Sequence, residues 1–181
     1  MYSFVLTPGM RLVILIAALC LAIGTFQSTK AQLGRPMQDE LLIELPKMEA
    51  RLATPSTRRT LSSAQWANYG DRIERALASD HEGLRQGALR MIIQYGPSLR
   101  LNRQATIDAV RIYRNHSNDR IRRMAVVALG RLQEPWSMDF LRRSLKFERE
   151  PEVRHTIAAV VARYHESRPG DIEVGEPERV R

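Results

Sequence analysis

Three stretches of this chain carry the same apolar spacing, and that repetition limits the fold more than any other feature. Leu84, Ala88, Met91, Ile92 and Tyr95 form one set. Ile121, Ala125, Ala128, Leu129 and Leu132 form the second, and Val153, Ile157, Val160, Val161 and Tyr164 the third. Each set runs i, i+4, i+7, i+8, i+11, which is one stripe along an α-helix. From Leu84 to Ile121 is 37 residues and from Ile121 to Val153 is 32, the length of a helix, a turn and a second helix. One hairpin of this kind cannot bury its stripe alone, so the units must stack and share a continuous core. The repeat implies an all-α fold, an α-solenoid of about three helical hairpins.

The intervening sequence supplies the partner helices. Ser62 and Gln65 stand three apart, as a capping box requires, with Leu61 placed as a hydrophobic staple. The helix they open carries Trp66, Tyr69, Ile73 and Leu77 and pairs with residues 82–95, which Gly96-Pro97-Ser98 stops. Residues 103–116, with Ile107, Val110 and Tyr113, pair with 119–132. Residues 136–147, with Phe140, Leu141 and Leu145, pair with 151–165, where Pro151 suits the first helical position. The second helices are apolar on nearly every side. Leu89, Val126 and Ala158 align, as do Ile93, Gly130 and Ala162, so each second helix is expected to be packed on both flanks.

Ahead of the array, residues 37–52 carry Leu41, Leu42, Leu45, Met48 and Leu52 at helical spacing, with Asp39 and Glu40 in the first turn. Such a helix would cap one end of the stack, and Pro46 is expected to kink or split it. Thr54-Pro55-Ser56-Thr57-Arg58-Arg59-Thr60 reads as a linker. Beyond Ser167 no periodicity remains, which reads as a disordered tail.

Residues 12–23 are an apolar run interrupted by no polar group except the Cys20 thiol, with Arg11 directly before it. Twelve such residues are too few for a bilayer core, which takes about 20, and they match the apolar region of a secretory signal. Met10-Arg11 and this run make a complete signal by themselves, so Met10 is the expected start of translation. Cleavage is expected after Ala31, leaving Gln32 first, and an uncleaved anchor is the alternative. A lipidated Cys20 is disfavoured because Leu19, not a small residue, precedes it. The resulting plan is a signal at 1–31, an N-terminal helix and linker at 32–61, the repeat domain at 62–166 and a tail at 167–181. The expected location is periplasmic or secreted.

Cys20 is the only cysteine, so the body has no disulfide, cysteine-ligated metal or cysteine nucleophile. The formal charge is +8, and Lys30, Lys47 and Lys146 are the only basic residues that are not arginine. Arginine favours planar pairing with carboxylates or phosphates. His81, His116, His155 and His165 do not pair at helical metal-ligand spacings, and no phosphate loop or nucleophile elbow occurs. No cofactor and no catalysis are expected. Trp66 and Trp136, near the starts of first helices, read as packing residues.

The stretch from Asn118 to Leu132, with its acidic residue, Ile121-Arg122 pair, spaced alanines and Leu129-Gly130 ending, resembles the HEAT repeat family, and within it the short bacterial repeats also seen in phycobilin lyases. Glu150-Pro151-Glu152-Val153-Arg154 and Asp80-His81-Glu82-Gly83-Leu84-Arg85 repeat its beginning, and the likeness covers roughly residues 62–166. The first unit departs from it, since Gly83 and Gly87 weaken its helix. The resemblance implies a scaffold rather than an enzyme, and it implies that Arg85, Arg122 and Arg154 form a structural ladder with acidic groups of adjacent units. Helical geometry places Arg90, Arg123, Arg131 and Arg163 on the one polar stripe of the second helices, opposite the core. Those four are the expected binding residues, for a protein partner with an acidic surface. The alternative partner is nucleic acid or another polyanion, because residues 100–149 hold 12 basic and 5 acidic groups. A membrane contact is expected only through an uncleaved N-terminal segment.

Overall fold

The computed structural model describes residues 37–168. The expected signal at 1–31, the Met10 start, and residues 169–181 lie outside the described residues. Chain contacts separate a unit ending at Glu40 from one beginning at Leu41, and the architecture that follows is that of the second unit. All regular structure among the described residues is helical.

The first helix, α1, ends at residue 53 and is helical from residue 37 among the described residues. It runs through Pro46 instead of splitting there. Pro46 and Leu42, whose carbonyl loses its helical partner to the proline, are both exposed, so water can satisfy that carbonyl. Leu41, Leu45, Met48 and Leu52 are buried, and α1 covers one flank of the stack. The segment read as a linker is also helical: α2 (Pro55–Thr60) has Pro55 at its first position, where a missing N–H costs nothing. Arg58 of α2 lies 5.8 Å over the Tyr95 ring.

The array proper is three hairpins. The first is α3 (Ser63–Ala78) with α4 (Glu82–Tyr95), followed by a 3-10 turn at Gly96–Ser98. The second is α5 (Arg103–Asn115) with α6 (Asp119–Leu132), and the third α7 (Pro135–Ser144) with α8 (Pro151–Glu166). The Ser62/Gln65 capping box forms as expected. Asn102 and Asn118 cap α5 and α6 with their side chains, each worth about 1 kcal/mol. Helix α7 begins at Pro135 and ends three residues early. Phe147 and Glu148 donate back to the Ser144 carbonyl, a turn that swings Glu148 inward and leaves Phe147 74% exposed.

Helices α4, α6 and α8 pack in succession as one layer, and α3, α5 and α7 pair with them from the other side. The repeat stripes fill the space between: Leu84, Ala88, Met91, Ile92, Ala125, Ala128, Leu129, Val153 and Ile157 are each at most 3% exposed. Fully burying a Leu, Ile or Val stabilises by about 1.5–3 kcal/mol. Packing on both flanks holds for α4 and α6, where Leu89 and Val126 are wholly buried. It does not hold for α8, whose Ala158 and Ala162 are exposed, because no further helix follows it among the described residues. The two close approaches in the second-helix layer occur at glycine. A Cβ on Gly87 would stand 2.5 Å from a Leu45 methyl of α1, and one on Gly130 would stand 2.6 Å from a Val160 methyl of α8. Gly87, which weakens α4 as a helix former, leaves room for the Leu45 methyl of α1.

Candidate functional site

The four arginines of the polar stripe occupy different settings. Arg90 reaches back to α1, its Nε 3.7 Å from Glu49. Arg123 of α6 reaches forward to Glu152 of α8 at 2.6 Å. Arg131 donates its Nε to the Ile93 carbonyl of α4 at 2.9 Å, leaving its terminal nitrogens without a partner among the described residues. Arg163 is exposed and makes no ion pair among the described residues. Arg123 and Arg131 therefore link consecutive helices of the second-helix layer, and Arg90 ties that layer to α1. These exposed pairs are worth about 0–1 kcal/mol each.

Arg131 and Arg163 converge on a hollow of about 370 Å³ at the C-terminal ends of α4, α6 and α8. Half-buried Ile93, Val127 and Val160 give it an apolar lining, and Arg131, Gln133 and Arg163 a polar rim. Both arginines sit in the last turn of their helices, where a cation meets the negative end of the helix dipole. Gln133 ends α6 in the left-handed conformation, φ 55 and ψ 29. It is the one positive-φ residue other than glycine among those described. A left-handed residue just past the last turn is a common helix ending, though with a Cβ it carries a steric cost there. Arg90 and Arg123 do not line the hollow. Sequence periodicity assigns Val160 to the core stripe and Ile93 to a flank, so neither is expected here. Nothing in a glutamine signals a left-handed turn.

The ladder arginines lie along the opposite ends of the second helices. Arg122 is the fullest case: Nε donates to the Tyr113 carbonyl at 3.2 Å, one terminal nitrogen to Asp119 at 2.9 Å, and the other to Glu148. Burial alone would push the Glu148 carboxyl up, but Arg122, the Glu150 N–H and the Tyr113 hydroxyl outweigh it and hold it below the usual range. Burial and the Glu148 charge push the Tyr113 phenol up. Arg85 donates only to the Ser79 carbonyl, at 3.2 Å. Arg154 is exposed on the open flank of α8 and makes no ion pair among the described residues.

A family model for HEAT repeats matches residues 71–162, about half of the chain. The chain belongs to the HEAT repeat family. No curated protein and no solved structure matches it. The match begins inside α3 and ends inside α8, so it covers the second-helix layer from α4 onward. HEAT repeats generally mediate protein–protein interaction. A stack of this kind offers its partner one continuous surface across several units. Among the described residues no group of His, Cys, Asp and Glu is arranged to hold a metal ion, and no helix is long and apolar enough to cross a membrane.

Proposed function

We propose that this HEAT-repeat protein is an exported, non-catalytic scaffold that holds a protein partner against the α4–α6–α8 face. The observation that carries the reading is the hollow between Arg131 and Arg163. Its apolar lining suits an aliphatic or aromatic side chain, and two arginine forks with free donors suit acidic residues beside that side chain. The apolar run at 12–23, preceded by Arg11, supports export. Recovery of a secreted or periplasmic form beginning at Gln32 would establish cleavage, and a form retaining the run would establish an anchor.

The binding reading is tested with arrays of short peptides in which a leucine is flanked by glutamate, glutamine or lysine. The wild-type chain is expected to retain the glutamate-flanked set. Arg163→Glu should lose that preference with stability changed by no more than about 0.5 kcal/mol, as for other surface changes. Equal retention of all three sets by the wild type would defeat the proposal. Polyanion binding is the second reading, favoured by exposed Phe147, which lines a separate hollow with Arg114 and Arg149 and has Lys146 4.8 Å from its ring. Binding of single-stranded DNA that weakens steeply with salt and is lost in Phe147→Ala would support it.

A further inference from the structure

The three hairpin turns repeat a feature finer than their apolar stripes. Six residues before the ladder arginines Arg85, Arg122 and Arg154 stand Ser79, His116 and Glu148. Each accepts the backbone N–H two residues further on, from His81 at 3.1 Å, Asn118 at 3.0 Å and Glu150 at 3.1 Å. Glu148 spends one carboxylate oxygen on that bond and gives the other to Arg122 of the preceding unit. His116 stands in the same relation to Arg85. It spends Nδ1 on Asn118, and the second nitrogen of a neutral ring is then a donor, so the ring offers Arg85 no acceptor. Glu82, the counterpart of Asp119, has its carboxylate 3.9 Å from His116 Nε2 and makes no pair with Arg85.

Arg85 is left with one hydrogen bond, and its buried Nε has no partner among the described residues. Leaving a buried charged donor unpaired forfeits its hydration without return, so a ligand that supplies the missing acceptor is favoured. Beside it lies a hollow of about 220 Å³ lined by Arg85, His116, Asn115, Arg111, Asp108 and Asp80. Asp108 is already engaged by Arg111 at 2.7 Å and Gln104 at 3.2 Å. Asp80 is exposed and makes no ion pair among the described residues.

We propose that this hollow takes a carboxylate from outside the chain, held by Arg85 as Glu148 is held by Arg122. The site lies at the opposite ends of the second helices from the Arg131–Arg163 hollow, and it stands independently of the function proposed for that face.

The test is a titration of the full chain with sodium acetate against chloride at constant ionic strength, following the Arg85 Nε–H resonance. A saturable shift with an apparent Kd on the order of 10 mM is expected. His116→Glu installs the repeat's own carboxylate, and it should abolish the shift and raise the melting temperature. His116→Gln keeps an acceptor for Asn118 without the charge and should retain the shift. Asp80→Asn removes the competing carboxylate and should tighten acetate. Capped glutamate binding more tightly than acetate assigns the site to an acidic side chain of a partner protein, whereas a response to acetate alone assigns it to a small free acid. Absence of a saturable shift in both the wild type and Asp80→Asn overturns the proposal, as does an undiminished shift in folded His116→Glu. Should His116→Glu not fold, the wild-type and His116→Gln titrations still decide.

Discussion

Adding one methyl group at Gly130 measures how closely α8 is seated on α6. In an ordinary helix interior, Gly→Ala stabilises by about 1 kcal/mol. Here the new Cβ would stand 2.6 and 3.3 Å from the two γ-methyls of Val160. Valine has essentially one side-chain rotamer in a helix, so neither methyl can swing aside and α8 itself must move. Overpacking of this kind costs about 1–3 kcal/mol; with a backbone-fixed valine the upper part of that range applies, and against the propensity gain of about 1 kcal/mol a net loss of up to about 2 kcal/mol is expected. Gly87→Ala makes the comparison. Its nearest contact is also short, 2.5 Å, but it is to a terminal methyl of Leu45, with the next Leu45 atom at 3.9 Å. Leucine can rotate that methyl away, so the propensity gain and the packing cost should nearly cancel.

The assay is urea unfolding of both variants, read as a change in midpoint at unchanged slope. Val160→Ala gives the decisive background: with the methyls removed, Gly130→Ala should cost nothing or stabilise, and the cycle should show a coupling of about 1 kcal/mol or more. Gly130→Ala as stable as the wild type, or a loss undiminished beside Val160→Ala, would refute the packing of α8 described here.

Three further outcomes are expected. Gln133→Gly relieves a left-handed residue that costs about 1–2 kcal/mol in that conformation, and should raise the melting temperature by a few degrees while leaving the hollow's two arginines in place. Ala125→Leu, at a position with no exposure, should destabilise by about 1–3 kcal/mol, and unchanged stability would mean the helix register is wrong. Glu148→Gln removes a carboxylate whose folded-state pKa is lowered. That carboxylate contributes stability above its unfolded value and loses it as pH falls through the folded one. The variant should therefore be less stable at neutral pH by about 1–3 kcal/mol, and the gap should close in acid; a gap that persists unchanged in acid would rule out the Arg122–Glu148 pair as its source.

What the sequence made legible was what periodicity controls. The stripes beneath Leu84, Ile121 and Val153 located α4, α6 and α8 and their buried faces because burial imposes a fixed angular spacing on a helix. The capping box at Ser62 was equally readable, since it is a local bond between residues three apart. Helix ends set by distant demands were not. Nothing local in Ser144–Glu148 says that α7 must stop there so that a carboxylate reaches Arg122. Pro46 and the stretch at Thr54 were misjudged because a solvent-facing carbonyl and a first-turn position each remove the penalty that proline otherwise carries.

The polar stripe shows the same limit from the other side. Helical spacing put Arg90, Arg123, Arg131 and Arg163 on one face, but the reach of an arginine side chain spans more than one helix. What each arginine meets is decided by residues far away in sequence: Glu49 for Arg90, Glu152 for Arg123, the Ile93 carbonyl for Arg131. Arg163 meets nothing comparable among the described residues, of which α8 is the last helix in the layer. Within the described residues the stack thus engages Arg90 and Arg123 in ion pairs and Arg131 through Nε alone, while Arg163 makes no ion pair. It is there, beside Val160 and the left-handed Gln133, that an apolar hollow also opens. Position in the array, which no single repeat encodes, decides which of the four aligned arginines finds a partner on a neighbouring helix.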